Sequence, residues 1–123
     1  MTHTPTNFTV WTEIPVRDLD RAARFYGAVF GTELTRQVMG PNETAIFPTQ
    51  APGGIAGHLY EGKPAGDGTG PTIHLALPDS LEAGLARLRE AGGQVLSEPI
   101  AIPFGRFAYC TDPDGNSIGL FAN

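Results

Sequence analysis

Cations are scarce in this chain: eight lysines and arginines stand against thirteen acidic residues, and the formal net charge is -5. No basic block occurs, and holding a nucleic-acid backbone takes several clustered cations. A nucleic-acid partner is therefore unsupported. Long apolar runs are missing too, with none near the roughly 20 residues that span a bilayer. The opening MTHTPTNFTV has neither the charged segment nor the apolar stretch of a signal peptide. The expectation is a cytoplasmic protein with no membrane partner. A single cysteine, Cys110, excludes an internal disulfide, and its apolar and aromatic neighbours point to a buried, inert thiol. No serine or cysteine sits in a recognised nucleophile setting. The glycines around Gly53 and Gly66 lack the Gly-Lys-Ser/Thr of a phosphate loop.

What the chain does have is an internal repeat. A strand-like segment, Phe8 to Val16, precedes a helical one in which Asp18 offers a cap. Leu19, Ala22, Ala23, Tyr26 and Phe30 then recur at helical spacing, up to Gly31. Thr72 to Leu77 again reads as a strand. Asp79 and Glu82 read as a capping box before a second helix with Leu81, Leu85 and Leu88 as its stripe, closed by Gly92-Gly93. Strands are expected at 33–39, 43–48 and 54–60 in the first half and at 94–97, 106–111 and 117–121 in the second. Asp112-Pro113-Asp114-Gly115-Asn116 reads as a hairpin turn. The result is an α+β chain of two βαβββ units, eight strands and two helices, around a shared cleft. One domain over 1–123 is expected, with module one at 8–60, a Gly/Pro-rich link at 61–70 and module two at 71–121.

The segments Ile14-Pro15-Val16-Arg17-Asp18-Leu19, Phe25-Tyr26-Gly27-Ala28-Val29-Phe30-Gly31, Gly105-Arg106-Phe107-Ala108, the Asp112–Asn116 turn and Ile118-Gly119-Leu120 occur in the order and spacing of one family. Through them the chain resembles the vicinal oxygen chelate superfamily, which includes glyoxalase I, extradiol dioxygenases, and fosfomycin and bleomycin resistance proteins. The resemblance implies paired modules forming an incomplete eight-stranded barrel, a homodimer, and a cleft holding a metal or a small molecule. Metal-dependent relatives draw ligands from four inward strand positions. Here the strand 1 position falls on Trp11, which has no lone pair suited to a divalent ion, and the strand 8 position on Gly119, which has no side chain. His58 is the candidate on strand 4, and Thr72 or His74 on strand 5, depending on register. No metal and no cofactor are therefore expected.

Alternation puts Trp11 and Glu13 on one face of strand 1, and Thr72, His74 and Ala76 on one face of strand 5. Aligning Val16 with Leu77 sets His74 opposite Glu13 and Thr72 opposite Trp11. Glu13 and His74 are thus candidate catalytic residues, because a carboxylate and an imidazole can exchange a proton near neutral pH. They could equally be a buried pair satisfying each other. Trp11, His58, Thr72, Arg106, Phe107 and Tyr109 are candidate ligand-binding residues; core packing competes for the two aromatics of strand 7, and a plain surface role for Arg106. The function read from the sequence is small-molecule binding without the usual metal site. The alternative is a glyoxalase-like lyase, isomerase or dioxygenase using Glu13, His74 and His58 as acid/base groups or displaced metal ligands. A purely structural dimer is a third class.

Overall fold

A computed structural model describes residues 2–123; Met1, within the expected domain, lies outside the described residues. Among them run β1 (Thr12–Val16), α1 (Leu19–Phe30), β2 (Thr35–Met39), β3 (Asn42–Ile46), β4 (Gly57–Glu61), β5 (Ile73–Ala76), α2 (Leu81–Glu90), β6 (Gln94–Val95), β7 (Ile100–Ile102), β8 (Gly105–Thr111) and β9 (Ser117–Ala122). The strands form two mixed sheets that do not close into a barrel. One is ordered β1-β4-β3-β2; the other is β5-β9-β8-β6, with β7 also pairing along β8. In each sheet the first strand of the unit is an edge and lies parallel to its neighbour, β1 to β4 and β5 to β9. This is the paired-module, incomplete barrel the repeat predicts, with β7 as an additional short strand.

Helix α1 follows from local chemistry. Asp18 has extended backbone and accepts a hydrogen bond from the Arg21 amide at 3.0 Å, and Gly31 closes the helix at φ 62°. Its stripe of Leu19, Ala22, Phe25, Tyr26, Val29 and Phe30 is buried. Helix α2 is capped differently from expectation: Ser80, not Asp79, accepts from the Ala83 amide, so there is no capping box. The Asp79 carboxylate instead takes both Nη atoms of Arg87, at 2.7 and 2.8 Å. Gly84 costs helix propensity, but a Cβ there would stand 2.5 Å from the Leu77 methyls, so the glycine lets α2 close onto the chain. The two helices touch, and the core forms between them and the sheet faces that carry Ile14, Val16, Ala45, Leu59, Ala108, Cys110, Ile118 and Leu120. Burial pushes the Cys110 thiol up to about 11, which leaves it protonated at neutral pH.

Strand β1 begins at Thr12 rather than Phe8, because its partner β4 begins at Gly57, opposite Thr12. Phe8 and Val10 precede the paired region and are exposed.

The turn at 112–116 does more than reverse the chain. Asp112 is buried; its Oδ1 accepts the amides of Asp114 and Asn116 at 2.9 Å each, an Asx-type closure of the turn. Its Oδ2 accepts the Tyr26 hydroxyl of α1 at 2.7 Å and the Asn116 Nδ2 at 2.9 Å. Asn116 also donates to the carbonyl of Pro15 in β1. Asp114, likewise buried, pairs with Arg21 at 2.8 Å and Arg17 at 3.3 Å. Burial, then the neighbouring Asp112 carboxylate, push the Tyr26 phenol well above its ordinary ionisation range, so it remains a donor. A hydrogen bond to a charged group contributes about 1.5–3 kcal/mol, so Tyr26→Phe is expected to lower stability by that amount. The readout is a lower urea midpoint at unchanged slope. A loss below about 0.5 kcal/mol would show that the turn does not hold the two units together.

Candidate functional site

Each sheet has one face against the helices and one free of them. On the first sheet, Ile14, Ala45 and Leu59 face the core, and the alternate positions Glu13, His58 and Ile46 form a row across β1, β4 and β3 on the open face. On the second, His74, Gly119 and Tyr109 form the matching row across β5, β9 and β8, with Phe121 and Phe107 in the next. Glu13 and His74 therefore hold equivalent register positions in the two sheets.

Their surroundings differ. His58 is buried, and Trp11, just ahead of β1, donates its indole N–H to His58 Nδ1 at 2.9 Å. An indole nitrogen can only donate, so Nδ1 must be the accepting nitrogen and neutral His58 carries its proton on Nε2. Nε2 lies 3.5 Å from Glu13 Oε1, and the Glu13 side chain is 60% exposed. Tyr60 meets the other side of the His58 ring edge-to-face. Trp11, His58 and Glu13 thus form a chain of polar contacts that ends in an accessible carboxylate.

His74 is exposed and lies in an aromatic group. Its ring meets Phe107 edge-on at 4.9 Å and Tyr109 at 6.0 Å, and those two pack edge-to-face at 5.2 Å. Gly119 is the reason it fits there, since any Cβ at that position would collide with the imidazole. Thr72 shares a hydroxyl hydrogen bond with Ser117. Among the described residues, no hydrogen bond or ion pair joins Glu13 to His74. Arg106 reaches the helix side: both its Nη atoms bond the Glu82 carboxylate at the start of α2, at 2.9 Å each.

The family's metal set does not fit these positions. Trp11 has only an N–H to offer, and it is used on His58; Gly119 offers nothing; the His58 Nδ1 lone pair is committed. Among the described residues, no three His, Cys, Asp or Glu side chains converge as a ligand group. A cavity of about 580 Å³ lies along the seam between β1 and β5, lined mainly by Ile14, Phe30, Phe47, Ile55, Leu75 and Leu77. Of the candidate residues only His74 reaches it. Glu13 edges a smaller cavity of about 130 Å³ beside Pro71 and Ser117.

Two mixed sheets in paired units, each with a helix on one face and a polar-aromatic open face, define a cleft-forming fold of the vicinal oxygen chelate class. The chain belongs to the Glyoxalase/Bleomycin resistance protein/Dioxygenase superfamily, whose model matches residues 9–120. It is 31% identical over 112 residues to CFP32 of Mycobacterium tuberculosis, whose name carries the word glyoxylase; that stretch is 89% of this chain and 42% of the relative. The chain thus spans under half the length of that relative. Among solved structures it is similar to the hypothetical protein SA1046 from S. aureus, with a TM-score of 0.71, 21% identity and 97% and 96% of the two chains covered. It is also similar to a glyoxalase/bleomycin resistance protein from Albidiferax ferrireducens T118, with a TM-score of 0.68, 24% identity and 95% and 99% covered. At those identities the likeness establishes the fold alone.

The sequence placed Glu13, His58 and His74 on what are β1, β4 and β5, but Trp11, expected within the first strand, lies just ahead of it, and its bond to His58 was not revealed. The partners are 47 residues apart, and only the parallel β1–β4 register brings them together. Glu82 as the partner of Arg106 had a weak local signal, an acid in the first helical turn.

Two outcomes follow from this geometry. Gly119→Ala is expected to displace the His74 ring, read as loss of the ring-current shifts that Phe107 and Tyr109 impose on its protons; unchanged shifts would refute the packing. For Glu82, the hydrogen bond from Arg106, then one from its own backbone, hold the carboxyl at about 2 instead of 4.5. Its folded value is depressed, so the pair's contribution is complete above pH 4.5 and is lost as pH falls through about 2. Arg106→Gln should return the Glu82 carboxyl toward its ordinary value in an NMR titration without altering the open faces.

Proposed function

We propose that this chain is a small-molecule-binding member of its superfamily that works without the family's usual metal set. In this reading it acts as a homodimer in the cytoplasm, a second copy facing the open sheet surfaces and completing the cleft. The carrying observation is the Trp11–His58–Glu13 group, in which Trp11 takes Nδ1 of the strand 4 histidine and Glu13 brings a carboxylate to 3.5 Å from its Nε2 at a helix-free face. The aromatic group of His74, Phe107 and Tyr109 supplies a second wall of the kind that holds a planar or apolar ligand part. Thr72 stands beside that wall, and Arg106, paired with Glu82, is available at most to its rim.

The equivalent register of Glu13 and His74 favours one further reading: proton transfer, as in a glyoxalase-like lyase or isomerase. Each residue projects from the edge strand of its sheet. If two copies bring a β1 face against a β5 face, the carboxylate of one row meets the imidazole of the other, and the pair can take and return a proton. The dioxygenase reading has no such support, because it needs a metal that the donor set does not fit.

The test is elemental analysis of protein purified without chelator, joined to sedimentation velocity and a ligand screen. The screen is read by the emission of Trp11, the only tryptophan in the chain. The expected result is a metal-poor dimer whose Trp11 emission responds to small planar molecules. A stoichiometric divalent ion that is lost on His58→Ala would overturn the metal-free reading. A monomer at tens of micromolar would overturn the shared cleft.

A further inference from the structure

Resting on the ligand-binding reading above, we infer that the open face of the first sheet selects a ligand bearing a cationic nitrogen on a planar or aromatic body, with Glu13 as the counter-charge and His58 as the residue that positions it. The chain keeps its own cations away from this face. Arg17 and Arg21 are held by Asp114, Arg36 by Asp20 and Glu43, Arg87 by Asp79 and Arg106 by Glu82. Arg24 and Arg89 sit on the helices, and Lys63 lies in the link between the units. No lysine or arginine occupies an open-face strand position in either sheet. Among the described residues, Glu13 is therefore a carboxylate on an open sheet face with no lysine or arginine paired to it; His58 is the titratable group recorded beside it.

The surroundings suit a cation in other ways. Trp11 and Tyr60 flank His58 beside Glu13, and the face of an aromatic ring attracts a positive charge at a worth of about 0.5–2 kcal/mol. An anionic ligand would meet Glu13 with no donor cation in reach, and like charges brought together across a desolvated cleft disfavour binding. His58 is buried beside that carboxylate: Trp11 holds its Nδ1, and its other ring nitrogen, Nε2, lies 3.5 Å from Glu13 Oε1. His58 is a positioning residue here, and Glu13 the one that touches the ligand.

The experiment uses three probes of one shape and different charge: benzyltrimethylammonium, benzyl alcohol and benzoate. Binding is followed by Trp11 emission and by its single indole N–H signal in a nitrogen–proton NMR spectrum. The cation is expected to bind at least tenfold more tightly than the alcohol, with benzoate weakest and the cation's advantage shrinking as salt rises. Glu13→Gln should abolish the difference between cation and alcohol while leaving the alcohol's affinity within twofold. His58→Ala should shift the indole N–H signal of the free protein and reduce the cation's advantage in part. If all three probes bind alike, or Glu13→Gln keeps the cation preference, the charge selection is wrong and the binding reading stands. If none perturbs Trp11 at millimolar concentration, the open face is not a site for ligands of this kind, and both readings fall.

Discussion

Everything at the open faces depends on how the turn at 112–116 holds the first βαβββ unit. Asp112 is buried and accepts four hydrogen bonds, from the amides of Asp114 and Asn116, the Asn116 side chain and the Tyr26 hydroxyl of α1. A buried carboxylate without such partners would cost several kcal/mol, so its place is tightly specified. The same turn presents Asn116 to the carbonyl of Pro15, next to Ile14 and Glu13, and Asp114 to Arg17 just beyond β1. The turn joins β8 to β9, the strand that runs beside β5, so these bonds relate the β1 edge to the β5 edge. Gly115 is required within it: the residue sits at φ 83°, and a Cβ would stand 2.7 Å from the Asp67 amide nitrogen.

Charge is sorted by face as a result. The arginines that bridge strands, helices and turns find their carboxylates at or beside the helices and at the 112–116 turn, with Arg36 also reaching Glu43 of β3 on the helix side. Exposed pairs of this kind contribute little stability singly, about 0–1 kcal/mol. Their larger consequence is spatial, since the cations they hold are kept away from the opposite sheet faces. The open faces are left with one carboxylate, two histidines and a set of aromatics. On the proposed reading, such a surface favours planar matter and positive charge over oxyanions.

Local chemistry made much of the fold legible. Asp18 and Gly31 bracket α1 because an acceptor and a positive-φ residue are needed there, and the strand–helix repeat follows from spacing alone. Where two local solutions competed, the tertiary partner decided: Asp79 would cap α2, but Arg87 takes its carboxylate and Ser80 caps instead. Phe8 and Val10 alternate like strand residues, yet no β4 residue exists opposite them, so pairing and not propensity set the start of β1. In the site, strand parity gave Glu13 and His74 their matching register, while Trp11 and Thr72 lie just ahead of the paired segments of β1 and β5. It carried no sign of the Trp11–His58 bond or of the Tyr26–Asp112 bond, which join segments 47 and 86 residues apart. Contacts of that separation depend on register across two or more strands, and no window of sequence contains them.

The internal repeat makes one last point about chemistry. Glu13 and His74 occupy the same register position in their sheets, and the neighbour across the parallel pair decides what each becomes. Opposite Glu13 stands His58, whose imidazole fills the space and brings Nε2 to 3.5 Å from the carboxylate. Opposite His74 stands Gly119, whose empty position admits the imidazole itself, which then lies against Phe107 and Tyr109. One sheet thus offers a charge with a polar support, the other a flat, largely apolar wall containing one titratable ring. The ligand positions that the resemblance implies for metal-dependent members fall at Trp11, just ahead of β1, and at Gly119, opposite His74. A tryptophan and a glycine at two of them remove two donors, and each does something definite in exchange: Trp11 commits the nitrogen of His58, and Gly119 makes room for His74. The two substitutions act in different sheets but, on the function proposed above, toward one end: a cleft whose selectivity rests on shape and on the charge of Glu13.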